Sequence, residues 1–338
     1  MAEGFITRRG GVGGEVAPLY IQATGGTTAE YNENGKRYKS HTFTTSGTFE
    51  VTSLGNGDRN LVDYLIVAGG GGGGNAESAD GGGGGGAGGY LSSINASGGF
   101  TTPLNKFEVS ATSYGVIVGG GGNASTSETN RASNGTNSSV FNLTAFGGGG
   151  GGSRLSGGGT GGSGGGAGGT RSSSGGNPGN GTAGQGHNGM ETAGLTSSKR
   201  RGGGGGGAGN TYQTHISIFN YSSTNTAPNG SVEDNEMNNG LPGGIGLPNF
   251  IRNGTPVFYA GGGGGGARSR QDGGLGGLGG GGNGEGQNNQ ATAGGVNTGG
   301  GGGAGSSWAY ISPNNQNNAK PGGSGIVIIR YEIAPQGV

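Results

Sequence analysis

Runs of pure glycine govern what this chain can become. Gly69 to Gly74, Gly147 to Gly152, Gly202 to Gly207 and Gly261 to Gly266 are each six residues without a side chain. The plain reading is flexible linker, since glycine loses more backbone freedom on folding than any other residue and glycine-rich chains behave as floppy coils. Linkers, however, are diluted with serine and do not recur behind apolar strands. Purity points to a steric demand: in collagen, threefold extended helices pack closely only where glycine leaves room at the contact. With glycine at every position such a helix can be surrounded on all sides, its N–H and C=O groups bonded to neighbouring helices. Each block is then expected to be a polyglycine II rod. At about 3.1 Å per residue, six glycines span roughly 19 Å, so aligned blocks form a slab about 2 nm thick with turns at its two faces.

Composition narrows the function classes. Glycine supplies 98 of 338 residues, hydrophobic residues only 27% and charged residues only 11%, which excludes a large apolar core. The 18 basic and 18 acidic residues cancel. Charge repulsion therefore does not hold the chain open, and binding driven by counterion release from a polyanion is disfavoured, so no nucleic-acid partner is expected. The absence of cysteine removes disulfides and thiolate metal sites. No run of 18 apolar residues and no signal-peptide stretch is present, so we expect neither membrane insertion nor export by a visible signal.

Along the chain, residues 1 to 40 are mixed and polar, with Arg8-Arg9 and Lys36-Arg37 as basic clusters. They read as a separate attachment or oligomerisation segment, in which Phe5, Ile6, Arg8, Arg9, Leu19 and Tyr20 need a partner surface. From His41 onward, residues 41 to 338 read as one glycine-rich domain. Thr42 to Val51 reads as a hairpin turned at Ser46-Gly47, with Phe43, Phe49 and Val51 on one buried face. One unit then recurs, a short β-prone run followed by glycines: Tyr64 to Ala68, Val116 to Val118, Leu143 to Phe146 and Val257 to Ala260 each precede a block. The closing segment 325–333, with Ile326-Val327-Ile328-Ile329, is the strongest strand. It is expected to pair with the strands around Phe43 to Val51 or Val62 to Val67, tying the ends together. The fold class is mainly β with polyglycine II helices: a short-strand frame, packed glycine rods and long polar loops.

The opening strand Val62 to Ala68 running into Gly69 to Gly74, the Gly86-Ala87-Gly88-Gly89-Tyr90 turn, and the closing Gly322 to Tyr331 resemble the glycine-rich domain of bacteriophage tail-fibre and appendage proteins over about residues 41 to 333. The likeness extends more loosely to the tip adhesins of T-even-like phage long tail fibres, from which this chain departs in its β-strand repeats and N-terminal segment. The resemblance implies stacked polyglycine helices that carry host-recognition loops.

Motifs for catalysis are absent or uninformative, so an enzyme is not expected and no cofactor is called for. His41, His187 and His215 have no metal-ligand spacing. Gly161-Gly162-Ser163-Gly164-Gly165 matches a nucleophile elbow only because any serine inside a glycine block does. Glu233, Asp234 and Glu236 read as a solvated loop and not as a calcium site. The informative segments are 210 to 240 and 306 to 321, where Asn, Ser and Thr surround Tyr212, His215, Phe219, Tyr221, Trp308 and Tyr310. That is the composition of an adaptable binding surface, although the same aromatics would serve to plug the slab or fill a subunit interface. The expectation is a bacteriophage virion structural protein, a tail fibre or host-recognition adhesin, assembled in the host cytoplasm. It would act as a homo-oligomer, a homotrimer favoured, with other phage virion proteins and a bacterial surface glycan or protein as partners. The rival is a virion decoration or adaptor protein that binds another phage protein. An antifreeze-like glycine bundle would call for a flat, regular face that these irregular loops do not offer.

Overall fold

The computed structural model describes residues 17–76, 80–94, 103–154, 156–169, 176–191, 201–209, 239–267, 271–306 and 318–336. Among them the chain is mainly β, with one 3-10 turn at Gly57–Asn60. The strands are β1 (Gln22–Thr24), β2 (Thr27–Glu33), β3 (Lys36–Phe43), β4 (Gly47–Ser53), β5 (Leu61–Val67), β6 (Tyr90–Ser92) and β7 (Phe107–Glu108). They continue with β8 (Ser113–Val116), β9 (Ser138–Val140), β10 (Leu143–Ala145), β11 (Leu247–Asn249), β12 (Val257–Tyr259) and β13 (Ile326–Ile333). The main sheet runs β2-β3-β13-β5-β6, with β7 also paired to β5, and a smaller sheet runs β1-β4-β8. β9 with β10 and β11 with β12 form two-stranded ribbons.

β13 lies at the centre of this frame because its residues are apolar on both faces. It pairs antiparallel with β3, Val327 opposite Phe43, and with β5, Ile328 opposite Leu65. Val327, Ile329 and Tyr331 point into one core with Phe43, Phe49, Val51, Tyr64, Ile66 and Phe141. Ile326 and Ile328 point into a second with Leu65, Val67, Tyr90, Leu247, Ile251 and Tyr259. A strand buried on both sides needs a layer on each, and the small sheet and the β11-β12 ribbon supply residues to them. The expected pairing with Val62 to Val67 is present; the other partner is Lys36–Phe43, so of the stretch Phe43 to Val51 only Phe43 takes part.

Two expectations are corrected. Residues 42 to 51 do not form a hairpin: β3 belongs to the main sheet and β4 to the small one, so the chain turns a corner between layers. Phe43 and Phe49 do share a core, because the corner folds them into the same space. The hairpin lies earlier, where β2 and β3 meet at Asn34-Gly35, both with positive φ (50° and 76°), the geometry of a two-residue primed turn. Nor is the compositional change at residues 40 and 41 a structural boundary. β3 runs through it, and β2 and β3 are strands of the main sheet.

The glycine segments leave this frame and bond to one another with a period of three. In 69–74, Gly69 and Gly72 donate to Thr136 and Ser133, Gly70 and Gly73 to Gly323 and Lys320, and Gly71 and Gly74 to Gly86 and Gly83, at 2.8–3.1 Å. Their carbonyls accept on the same period: Gly69 and Gly72 from Gly148 and Gly151, Gly70 and Gly73 from Gly122 and Ser125, and Gly71 and Gly74 from Gly302 and Gly305. Three antiparallel and three parallel neighbours thus surround one segment, and every peptide group in it is paired. Segments 82–89 and 261–267 are enclosed in the same way. None of the glycines in these three segments has a positive φ. Close approach explains their purity. A Cβ on Gly71 would lie 2.1 Å from the carbonyl oxygen of Gly149, and one on Gly85 would lie 2.1 Å from that of Gly71.

At the margin of the bundle the demand for glycine relaxes to one residue in three. Ala132 and Ser138 are buried and Gly135 is half-buried while the residues between them are exposed, and Asp272, Leu275 and Leu278 mark the exposed row of another segment. Where a neighbouring segment is missing, a side chain takes over its role as acceptor. Asn134 Oδ1 accepts from Gly150 N at 2.8 Å and Asn137 Oδ1 from Gly147 N at 2.9 Å, again three residues apart along the segment they serve. Asn283 and Asn289 do the same for Gly276 and Gly273. Asparagine ends the lattice.

Two measurements follow from this packing. Gly85→Ala drives a Cβ into backbone and is expected to abolish the thermal transition of the native state. Gly120→Ala, whose Cβ would meet nothing nearer than Thr136 Oγ1 at 3.9 Å, is expected to leave it within a few degrees. Equal effects would contradict the enclosure described. Asn134→Ala leaves the Gly150 N–H unpaired and is expected to cost about 1–3 kcal/mol in denaturant unfolding.

Candidate functional site

The direction of each segment follows from its pairing. Residues 69–76 leave β5 and residues 318–325 return to β13, antiparallel to each other, with Gly70 bonded to Gly323 and Gly73 to Lys320. The end at Gly74 and Lys320 is therefore the end far from the strands. At this far end polar connections such as 126–131 and 286–290 join the described segments, whereas Thr182 to Gln185, Leu278 to Gly280 and Val296 to Thr298 make short turns near the frame.

Buried polar groups fix the far end. Arg154 Nε lies 2.8 Å from Asp80 Oδ2 and its Nη1 2.9 Å from Glu128 Oε2, so one guanidinium ties three connections together. Glu285, 6% exposed, holds the stem of the segment that begins after Ser306. Its Oε2 accepts from Ser306 N at 2.9 Å and its Oε1 from Asn318 Nδ2 at 3.3 Å, while Ser306 Oγ donates to Ala267 O. Burial raises the pKa of Glu285, opposed by these hydrogen bonds.

The sequence-derived binding residues Tyr212, His215, Phe219, Tyr221, Trp308 and Tyr310 lie outside the described residues, as do Phe5, Ile6, Arg8 and Arg9. So do Glu233, Asp234 and Glu236. Leu19 is exposed, and the ring of Tyr20 sits beneath the Arg59 guanidinium at 5.2 Å. His41 is buried: its Nδ1 is 2.6 Å from Gly25 O, its Nε2 3.1 Å from the Tyr331 hydroxyl, and burial lowers its pKa. It braces the corner between the sheets. Among the described residues no group of three or more His, Asp or Glu side chains could hold a metal ion, and no helix is long and apolar enough to cross a membrane.

Sequence reasoning missed a charged centre at the opposite end of the molecule. Arg330, 6% exposed, donates from Nη1 to the Tyr31 hydroxyl at 2.9 Å and to Glu33 Oε2, and from Nε to Asp63 Oδ2 at 3.2 Å. Burial opposes its charge, yet the Tyr31 hydrogen bond and the two carboxylates prevail and its pKa is raised. The signal was a lone arginine inside an apolar strand, which only a buried counter-charge can accommodate.

Glu285→Ala removes both oxygens that accept from Ser306 N and from Asn318 Nδ2. Amide exchange at Ser306 is expected to quicken about tenfold or more, the worth of one buried hydrogen bond, with the strands of the frame unaffected. Unchanged exchange at Ser306 would show that the carboxylate does not hold the stem.

No curated protein matches the chain. The glycine-rich domain family matches residues 43–332, from the last residue of β3 to the penultimate residue of β13. That span takes in the strands that open and close the bundle together with every glycine block between them, and the chain belongs to the glycine-rich domain family.

Proposed function

We propose that this protein is a bacteriophage virion structural protein, a tail fibre or host-recognition adhesin whose glycine segments are polyglycine II helices. The observation that carries the reading is the period of three in the hydrogen bonds of segments 69–74, 82–89 and 261–267, each enclosed by its neighbours. A threefold extended helix returns to the same neighbour every third residue. Such a bundle is stiff without a large core, and polar connections such as 126–131 and 286–290 lie at the end away from the frame. A stiff body with varied tips suits adhesion to a cell surface. The binding residues in this reading are Tyr212, His215, Phe219, Tyr221, Trp308 and Tyr310, with rigid aromatics for contact and small polar groups for hydrogen bonds. Residues 1–16, with Leu19 and Tyr20, would join the particle or further copies of the chain.

Electron microscopy of particles labelled with antibody against this chain tests the role. Label at the tail tip is expected, together with weaker adsorption to host cells for Trp308→Ala. Label on the capsid would favour a decoration or adaptor protein, and unlabelled particles would overturn both. Sedimentation of the purified chain reads the expected homotrimer. A crystal structure reads the helix type, with φ and ψ of Gly69 to Gly74 expected near about −75° and +145°.

A further inference from the structure

The ladder between β13 and β5 stops where Arg330 lies opposite Asp63. Beyond it β13 continues beside β3 to Ile333, while Leu61 and Val62 turn away to pair with β7. The strands part, and a cleft of about 430 Å³ opens at the outer end of the main sheet. That volume falls within the roughly 300–1,000 Å³ of small-molecule sites.

The walls carry three cations, Lys36, Arg59 and Lys106, and three carboxylates, Asp58, Asp63 and Glu332. Most of them are fixed in place. Lys36 Nζ is 2.6 Å from Glu332 Oε2, and Lys106 Nζ is 3.2 Å from Asp63 Oδ2, which Arg330 also engages. Arg330 in turn lies 4.4 Å from the ring centroid of Tyr38, another wall residue. Arg59 is held over the Tyr20 ring and by Asn56 Oδ1, yet its Nε is buried without a hydrogen-bond partner. Asp58 is exposed on the 3-10 turn and takes no part in the ion pairs of these walls among the described residues.

Alternating signs select the ligand class. An anion would meet Asp58 and Glu332, a cation would meet Lys36 and Lys106, and an apolar molecule would strip water from all of them. A hydroxyl both donates and accepts, so neighbouring hydroxyls can bridge an ammonium and a carboxylate at once. We propose that this cleft is a saccharide subsite for a neutral mono- or disaccharide, whose hydroxyls donate to Asp58 and Glu332 and accept from Lys36, Arg59 and Lys106. The site is built on strands and a short turn, so it stands or falls independently of the aromatic residues proposed above to bind the host.

Calorimetric titration of the full chain with maltose, lactose, cellobiose and N,N′-diacetylchitobiose tests it, with sialyllactose as an anionic probe and choline as a cationic one. At least one neutral sugar is expected to bind. Asp58→Ala should weaken it about tenfold, the worth of a hydrogen bond to a charged group, with the unfolding temperature unchanged. Lys36→Ala should weaken it as well. Binding confined to sialyllactose or choline, no binding of any neutral sugar, or neutral-sugar binding untouched by both substitutions would each overturn the proposal. Cell adsorption by a chain that binds no purified sugar would leave the adhesin reading standing and remove this site alone.

Discussion

The peptide group, and not the side chain, is what this structure is made to satisfy. A segment of pure glycine has no apolar surface worth burying, so its order has to come from main-chain hydrogen bonds and from contacts between backbones. Both conditions are met only when other segments surround it at the separation of bare backbones. Carbonyl oxygens lie about 2 Å from where a Cβ would stand, a measure of that closeness. Everything else in the fold serves to bring the segments there: strands that aim them, turns that return them, and asparagines that finish the outer rows.

The strand frame solves a problem the glycines cannot solve alone. Glycine segments look alike to one another, and a bundle of them has little to choose one register over the next. Apolar side chains supply the choice. β13 locks against β3 and β5 through residues more than 250 positions apart, and that pairing sets the starting point of segments 69–76 and 318–325. Buried aromatics such as Phe49, Tyr64, Phe141 and Tyr259 then fix the layers on either side of it. The charged group of Arg330, Asp63 and Glu33 adds a polar constraint at the outer edge, where a shifted strand would leave a buried guanidinium without partners.

Much of this was legible in the sequence, for physical reasons that can be named. Ile326 to Ile329 announced a strand covered on both faces, and the purity of the blocks announced enclosure. Less was legible where two layers compete for one segment. Thr42 to Val51 alternates as a hairpin does, yet alternation cannot tell whether two strands face each other or face a common core from different sheets. Asn34-Gly35 was a stronger turn signal that polar surroundings obscured, and the strands on either side of it carry the chain across the compositional change near residue 40. The cleft at the sheet's end was beyond reach, because it depends on where β5 leaves β13, and Lys36, Asp58, Lys106 and Glu332 are scattered through the chain.

The rotation of bonding partners gives segment length an arithmetic of its own. Within 69–74 each position belongs to one of three rows, and each row answers to a different pair of neighbours. Adding or removing one glycine hands every later residue to the wrong partners. Adding three restores the assignment. The enclosed part of the chain therefore has a reading frame in space, while the connections at the far end, bound by no such count, are free to change length one residue at a time.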